Sequence, residues 1–420
     1  MASRVMRKEV LDNGLVILTE RMPAVRSVSI GVWIQVGSRH EEGGQAGISH
    51  FIEHILFKGT EHRSAEEIAT AIDAVGGTLD AFTSREHTCF YAKVLGEHLP
   101  IAIDLLADIL LHSRLDPEDI ERERGVILQE IKMVEDAPDD RVHDLFAQTI
   151  WPDHPLGRPI LGRRETLQQV GRDEIVKYMD RYYRPDRAII SAAGDLDHQA
   201  LVDLIVAAFE GWQGRSRPVT DFPPAVHPTL VNEDRELSQV HLCLGTNGLA
   251  YAHRDRYTIS LLNNILGGGM SSRLFQEIRE RRGLVYSIYS YHAAYQGAGL
   301  LVVYAGTDSD HYQEVVELIQ AEFRKVRDEP VDPGEFRRAK EQLKGSIFLG
   351  LESTNSRMTR LAKMQMYFNR CFGLDEIIKG IEEITPERLQ RLTQSLFASG
   401  VYTLTSIGRT PSSAPAVLTP

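Results

Sequence analysis

Alternation and helical periodicity divide the chain into short strands and longer amphipathic helices. Apolar runs at 9–11 and 15–18 flank Asp12-Asn13-Gly14, the composition of a hairpin turn, and 28–36 (Val-Ser-Ile-Gly-Val-Trp-Ile-Gln-Val) reads as a further strand. A polar, glycine-bearing loop at 37–47 delivers the chain to a helix within 47–59, and 64–75 is a second helix with Ser64 as its cap, Glu66-Glu67 in its first turn and Gly76-Gly77 at its end. Strands at 78–84 and 88–95 follow, then helices at 98–112 and 117–136. After a Pro/Gly-rich loop at 152–162 come a helix at 172–182, a strand at 188–194 and a helix at 197–211.

Proline and polar residues then replace any periodic pattern around 214–224, which reads as a linker. Beyond it the order repeats: a strand at 239–245, a helix at 255–266, three glycines at 267–269, a helix at 272–282, and strands at 284–291 and 299–305. Helices at 311–327, 332–350, 355–368 and 386–397 and a strand at 401–407 close the pattern. The fold class is therefore α+β: two similar domains, each a mixed or antiparallel sheet covered by helices, arising by internal duplication. The expected boundaries are a first domain over 1–215, a linker over 216–228, a second domain over 229–410 and a disordered tail over 411–420.

Composition changes this picture little. With 42% hydrophobic and 25% charged residues the chain is that of a soluble globular protein, and no run approaches the roughly 18 apolar residues that span a bilayer. The first residues lack the apolar core of a secretory signal and the Arg-rich, acid-free character of an organellar leader, so a cytoplasmic address is expected. Cys89, Cys243 and Cys371, scattered and odd in number, form no disulfide framework and no zinc ribbon. A net charge of -12 argues against nucleic acid or anionic lipid as the main partner.

The chemistry concentrates in 47–59, Gly-Ile-Ser-His-Phe-Ile-Glu-His-Ile-Leu-Phe-Lys-Gly. On a helix, His50 and His54 lie one turn apart on one face with Glu53 beside them, while Ile52, Ile55 and Leu56 point the other way into a core. Two imidazoles at i and i+4 can hold one zinc ion, and the adjacent carboxylate is placed to act as a base on water. The bland alternative is a pair of hydrogen-bonded histidines on a half-buried helix with a solvated glutamate beside them. A third ligand is needed, and 123–134 offers one. At 100° per residue Glu123, Val126, Ile127, Glu130 and Val134 share one side of a helix, so two acids interrupt an apolar stripe. Buried carboxylates must coordinate a metal or meet a charged partner, and an arginine network satisfies the second condition as well as a metal satisfies the first.

His50-Phe51-Ile52-Glu53-His54, with Glu130 placed 76 residues beyond His54 in Glu-Arg-Gly-Val-Ile-Leu-Gln-Glu-Ile, resembles the pitrilysin or insulinase-type metallopeptidases, the family that includes the mitochondrial processing peptidases. The resemblance runs over roughly residues 8–408. It implies His50, His54 and Glu130 as ligands of Zn2+, Glu53 as general base, and Glu123 as an acid steadying the site from behind the ligands. Arg279-Glu280-Arg281-Arg282-Gly283-Leu284-Val285-Tyr286 is similar to the segment whose Arg and Tyr complete the family's active site, which implies Arg279 and Tyr286 as groups that stabilise an oxyanion; the lesser alternative is that they are ordinary surface and core residues. Gly267 to Gly269 resemble the family's glycine-rich stretch. They follow a helix rather than a strand, which disfavours a phosphate loop and leaves a flexible connection or a grip on substrate.

Asp80, Ala81, Phe82 and Thr83 fall where the family has an edge strand that pairs with substrate backbone, and Asp80 stands where Asn is usual. An anion there would favour basic or N-terminal regions of a substrate. The chain matches half of the family's long members, which implies half of a clamshell that dimerises, with Arg279 and Tyr286 of one subunit facing the zinc of the other. The expected activity is zinc-dependent endopeptidic hydrolysis of unfolded peptides or presequence-like segments in a closed chamber, by a homodimer. The alternatives are a subunit of a heteromeric processing peptidase and a non-catalytic scaffold, whose mark would be loss of His50, Glu53, His54 or Glu130.

Overall fold

The computed structural model describes residues 6–216, 223–226 and 228–411. Positions 217–222 and 227 of the expected linker and 412–420 of the expected tail lie outside the described residues. Two sheets organise the chain. The first contains β1 (Met6–Val10), β2 (Val16–Arg21), β3 (Ser27–Ile34), β4 (Thr78–Thr83), β5 (Thr88–Leu95) and β6 (Ala188–Gly194), in the order β1-β2-β6-β3-β5-β4. The second contains β7 (Leu230–Glu233), β8 (Val240–Asn247), β9 (Val285–Ala294), β10 (Gly299–Thr307) and β11 (Thr403–Ile407), in the order β7-β11-β8-β10-β9.

With β1 set aside as the outer arm of a hairpin, both sheets follow one scheme: first strand, last strand, second, fourth, third. In each, the first and last strands pair parallel and every other pairing is antiparallel. Such agreement in an unusual order is what duplication of one α+β unit produces, and the mixed sheets covered by helices agree with the fold class expected from the sequence.

By contacts the chain forms two compact units, and both are discontinuous. The first comprises 1–132, 158–220 and 350–371; the second comprises 133–157, 221–349 and 372–420. They differ from a single cut at 216–228 by two helices. The helix Thr354–Phe368 packs on β2, β3 and β6 of the first sheet, and the helix Pro138–Ile150 packs on β8 and β11 of the second. The helix at 138–150 is absent from the periodicity reading, although Pro138 at its first turn, Asp139-Asp140 after it and Val142, Leu145, Phe146 and Ile150 on one buried face are ordinary helix signals. Short elements at 230–233 and 374–382 were likewise not expected.

Period two explains how the first sheet is covered on both faces. On β3, Val28, Ile30, Val32 and Ile34 face a core made with Phe51, Ile52, Phe90, Ile103, Leu106 and Ile127. The intervening Ser29, Gly31 and Trp33 face the helix Thr354–Phe368: Ser29 and Thr354 share a hydrogen bond of 2.8 Å, and Ser191 takes the Trp33 indole N–H at 2.8 Å and donates to the Met358 carbonyl at 3.0 Å. A Cβ at Gly31 would stand 3.0 Å from Trp33 Nε1 and 3.1 Å from Met358 Sδ, so only glycine lets the helix lie this close. Arg357 on that helix pairs with buried Glu20. No helix among the described residues is long and apolar enough to cross a membrane.

Candidate metal centre

In the first unit the short helix α1 (Ile48–Ile55) lies against β4, with Phe51, Ile52, Ile55 and Leu56 fully buried, as its periodicity requires. The opposite face carries His50, Glu53 and His54. The imidazole centroids of His50 and His54 are 4.6 Å apart with planes at 63°. The long helix Pro117–Asp136 brings Glu130 to the same place: its Oε2 is 3.7 Å from His50 Nε2 and 3.5 Å from His54 Nε2. Both distances exceed a charge-assisted hydrogen bond, which runs about 2.7–2.9 Å. They fall close to the ligand-to-ligand spacing of about 3.3 Å that bonds of about 2.0 Å make at a tetrahedral angle.

Among the described residues, these three are the one group of three or more His, Cys, Asp or Glu that could hold an ion, with donor atoms all within 4.8 Å of one another. The residues fit a zinc ion chemically as well: two imidazole nitrogens and one carboxylate oxygen converge while solvent space remains beside a half-exposed Glu130. His50 Nδ1 is buried without a hydrogen-bond partner, and burial, aided by the His54 charge, holds His50 down to about 4, so the ring keeps a free lone pair near neutrality.

His54 is steadied from behind. Its Nδ1 lies 3.2 Å from Glu123 Oε2, while Glu123 Oε1 meets Lys58 Nζ at 2.9 Å. Glu123 is buried, as the acid-in-stripe argument requires, but the buried stripe of this helix is Ile120, Glu123 and Ile127, and Val126 is 42% exposed. The stripe is narrower than expected because it turns towards Leu128 and Ile131, which pack on the core, rather than towards Val126. Lys58 was missed altogether, since nothing local ties it to a residue 65 positions away.

Glu53 sits between α1 and β4. Burial raises its carboxyl above the usual range, and Asp80 and Glu130 add to the rise, against the Thr83 hydroxyl and His54. β4 is one of the two edge strands of its sheet, opposite β1. On it, Asp80 accepts the Ala81 N–H at 2.8 Å and the Tyr91 hydroxyl at 3.2 Å, and Phe82 packs edge-on to Trp33, His87 and Tyr91. The structure thus gathers His50, Glu53, His54, Glu123, Glu130 and the 80–83 edge in one unit.

Arg279 and Tyr286 meet each other in the second unit. The Arg279 guanidinium lies 4.7 Å from the Phe275 ring centroid and 5.7 Å from that of Tyr286, whose side chain is exposed. Arg279 belongs to a π-helical turn, Phe275–Glu280, inside the expected helix at 272–282; wide turns of this kind concentrate at functional sites. The preceding glycines have a packing reason: a Cβ at Gly267 would stand 2.4 Å from Ser290 N, and one at Gly268 would stand 2.7 Å from the Asn264 backbone.

Comparison with known proteins shows the family of the chain. The family model "Insulinase (Peptidase family M16)" matches residues 16–164, and "Peptidase M16 inactive domain" matches residues 169–343. The chain is 44% identical over 393 residues to the uncharacterized zinc protease YmxG of Bacillus subtilis, covering 94% of this chain and 96% of that protein. It is 41% identical over 404 residues to an uncharacterized zinc protease of Streptomyces coelicolor, covering 93% and 87%. In fold it is similar to a protease from Helicobacter pylori, with a TM-score of 0.88 at 22% identity over 96% of this chain and 100% of that one. It is similar also to a peptidase M16 inactive domain from Pseudomonas fluorescens, with a TM-score of 0.90 at 19% identity, covering 98% and 100%. The chain belongs to peptidase family M16, the insulinase family.

Proposed function

We propose that the chain is a zinc endopeptidase of unfolded or short peptides. The observation that carries the reading is the convergence of His50 Nε2, His54 Nε2 and Glu130 Oε2 at ligand-to-ligand rather than hydrogen-bond spacing. Zinc held there supplies Lewis acidity, polarising a carbonyl and making water acidic near neutral pH. Glu53 takes the proton of the attacking water and returns it to the leaving amine, a role suited to a carboxyl raised by burial. Glu123 fixes the His54 ring through its Nδ1. The free edge of β4 aligns an extended substrate backbone, and the Asp80 carboxylate beside it favours cationic segments such as presequences.

Arg279 and Tyr286 stabilise the developing oxyanion, and in keeping with the family resemblance they act from a second copy of the chain, so the working form is a homodimer. Zinc analysis together with cleavage of an unstructured peptide tests the reading. One zinc per chain, cleavage abolished by chelator, and a Glu53→Gln variant that keeps its zinc but loses activity are expected; a metal-free or chelator-insensitive activity overturns it. Mixing Glu53→Gln with Tyr286→Phe chains restores activity if sites are shared between subunits, and strictly additive inactivity sinks that part.

A further inference from the structure

The helix that carries both histidines begins without a cap of its own. α1 has eight residues, its N-cap is Gly47, and no side chain at that position can accept the first free N–H groups. The missing acceptor comes from Glu41, in the loop before it. Glu41 Oε2 takes the Gly47 N–H at 2.8 Å and Oε1 takes the Ser49 N–H at 2.9 Å, with the residue 3% exposed. Its own carbonyl is held by Arg158 Nη1 at 2.7 Å.

The surroundings hold the same point from other sides. Ser49 shares a 2.9 Å hydrogen bond with the Tyr178 hydroxyl, and Thr166 Oγ1 donates to the Ala46 carbonyl at 2.6 Å. Gly47 has φ +97°, and a Cβ there would stand 2.7 Å from the Leu161 carbonyl oxygen. Burial lifts the Glu41 carboxyl to about 7 against the pull of the two N–H groups, so a polar group has been kept here at a cost in desolvation. A helix of two turns has little hold of its own, and His50 is its third residue, next to the Ser49 N–H that Glu41 grips.

We propose that Glu41 is the positioning residue of the metal centre: by gripping the start of α1 at two points it sets the rotation and advance of that helix, and so where the His50 and His54 nitrogens converge with Glu130. The inference rests on the zinc reading above. Glutamine at 41 has one acceptor oxygen for two N–H groups and turns an NH2 donor on the other, while aspartate keeps the charge but is one methylene short.

The test follows zinc release into excess chelator and the visible absorption of the cobalt-substituted protein, with Ser64→Ala as control. Ser64 caps the neighbouring helix Ala65–Asp73 and touches no metal ligand, so its loss reports what a merely structural cap does. Expected results are zinc release about 10- to 100-fold faster in Glu41→Gln with a shifted cobalt spectrum, an intermediate Glu41→Asp, and parental spectrum and release rate in Ser64→Ala whatever its thermal stability. Parental cobalt spectrum and release in Glu41→Gln overturn the proposal. If that variant does not fold, parental behaviour of Glu41→Asp overturns it instead. A parent chain that takes up no cobalt overturns the zinc reading and this inference with it, an outcome distinct from the others.

Discussion

Glu123 offers the sharpest quantitative test, because each of its oxygens has one partner: His54 Nδ1 at 3.2 Å and Lys58 Nζ at 2.9 Å. Glu123→Gln leaves one acceptor for two donors. If the amide oxygen keeps His54, the NH2 faces Lys58, whose side chain is 35% exposed and can turn to water, so the loss falls at the low end for such groups, about tenfold in zinc affinity. Glu123→Ala removes both contacts and leaves the His54 N–H, at 18% side-chain exposure, without its acceptor and the ring free to rotate. That places it at the high end, about 100-fold, or roughly 2.7 kcal/mol. Competition against a chromogenic chelator, on variants shown by circular dichroism to be folded, measures both. Affinities of both variants within twofold of the parent, or Gln weaker than Ala, would refute the account of Glu123 as the group that orients His54.

Acid stability tests the buried histidines. His87, packed against Trp33 and Phe82 with Nδ1 unpartnered, is held down to about 3 by desolvation, so it is neutral when folded and takes a proton only on unfolding. Its contribution is complete above the unfolded value of 6.5 and is lost as pH falls towards 3. His87→Phe therefore gains on the parent by about 1.4 kcal/mol per pH unit below pH 6.5 in denaturant unfolding; parallel pH profiles contradict this. Glu41, raised to about 7, works in the opposite sense, adding stability below its unfolded value of 4.5 that is lost as pH rises through 7. Arg357→Met leaves the Glu20 carboxylate buried with Arg360, at 3.9 Å, as the cation that remains beside it among the described residues, and costs about 3–5 kcal/mol, most of which Glu20→Gln added to it recovers. A loss under about 1 kcal/mol in urea unfolding would show that water reaches Glu20.

What the sequence displayed of the site was whatever lay within a helical turn or on one helix face. His50, Glu53 and His54 announce themselves by spacing, and Glu123 and Glu130 by sitting as acids where an apolar stripe runs. Groups joined only by the fold stayed hidden: Lys58 to Glu123, Thr83 to Glu53, and Glu41 to the start of α1, the last from a loop that reads merely as polar. The strands of both sheets were visible because Val28 to Ile34 and their counterparts are β-branched, glycine-bounded runs, while β7, four half-buried residues long, carries too little apolar contrast to register. The π-turn at 275–280 leaves no mark in composition at all, since its widening is a backbone matter.

The exchanged helices set an order of events during synthesis. The first sheet is complete once Gly194 has emerged, yet one of its faces, with Ser29, Gly31, Trp33, Ser191 and the Glu20 carboxylate, waits for the helix Thr354–Phe368. The chain as far as residue 368 must leave the ribosome before the unit bearing His50, His54 and Glu130 is closed, and until then the Glu20 carboxylate and a bare sheet face stand open to water and to other chains. The sequence separation between these segments raises the contact order and slows the final docking. A nascent chain stopped before residue 350 therefore holds His50, His54 and Glu130 on helices of a unit whose sheet is still bare on one face.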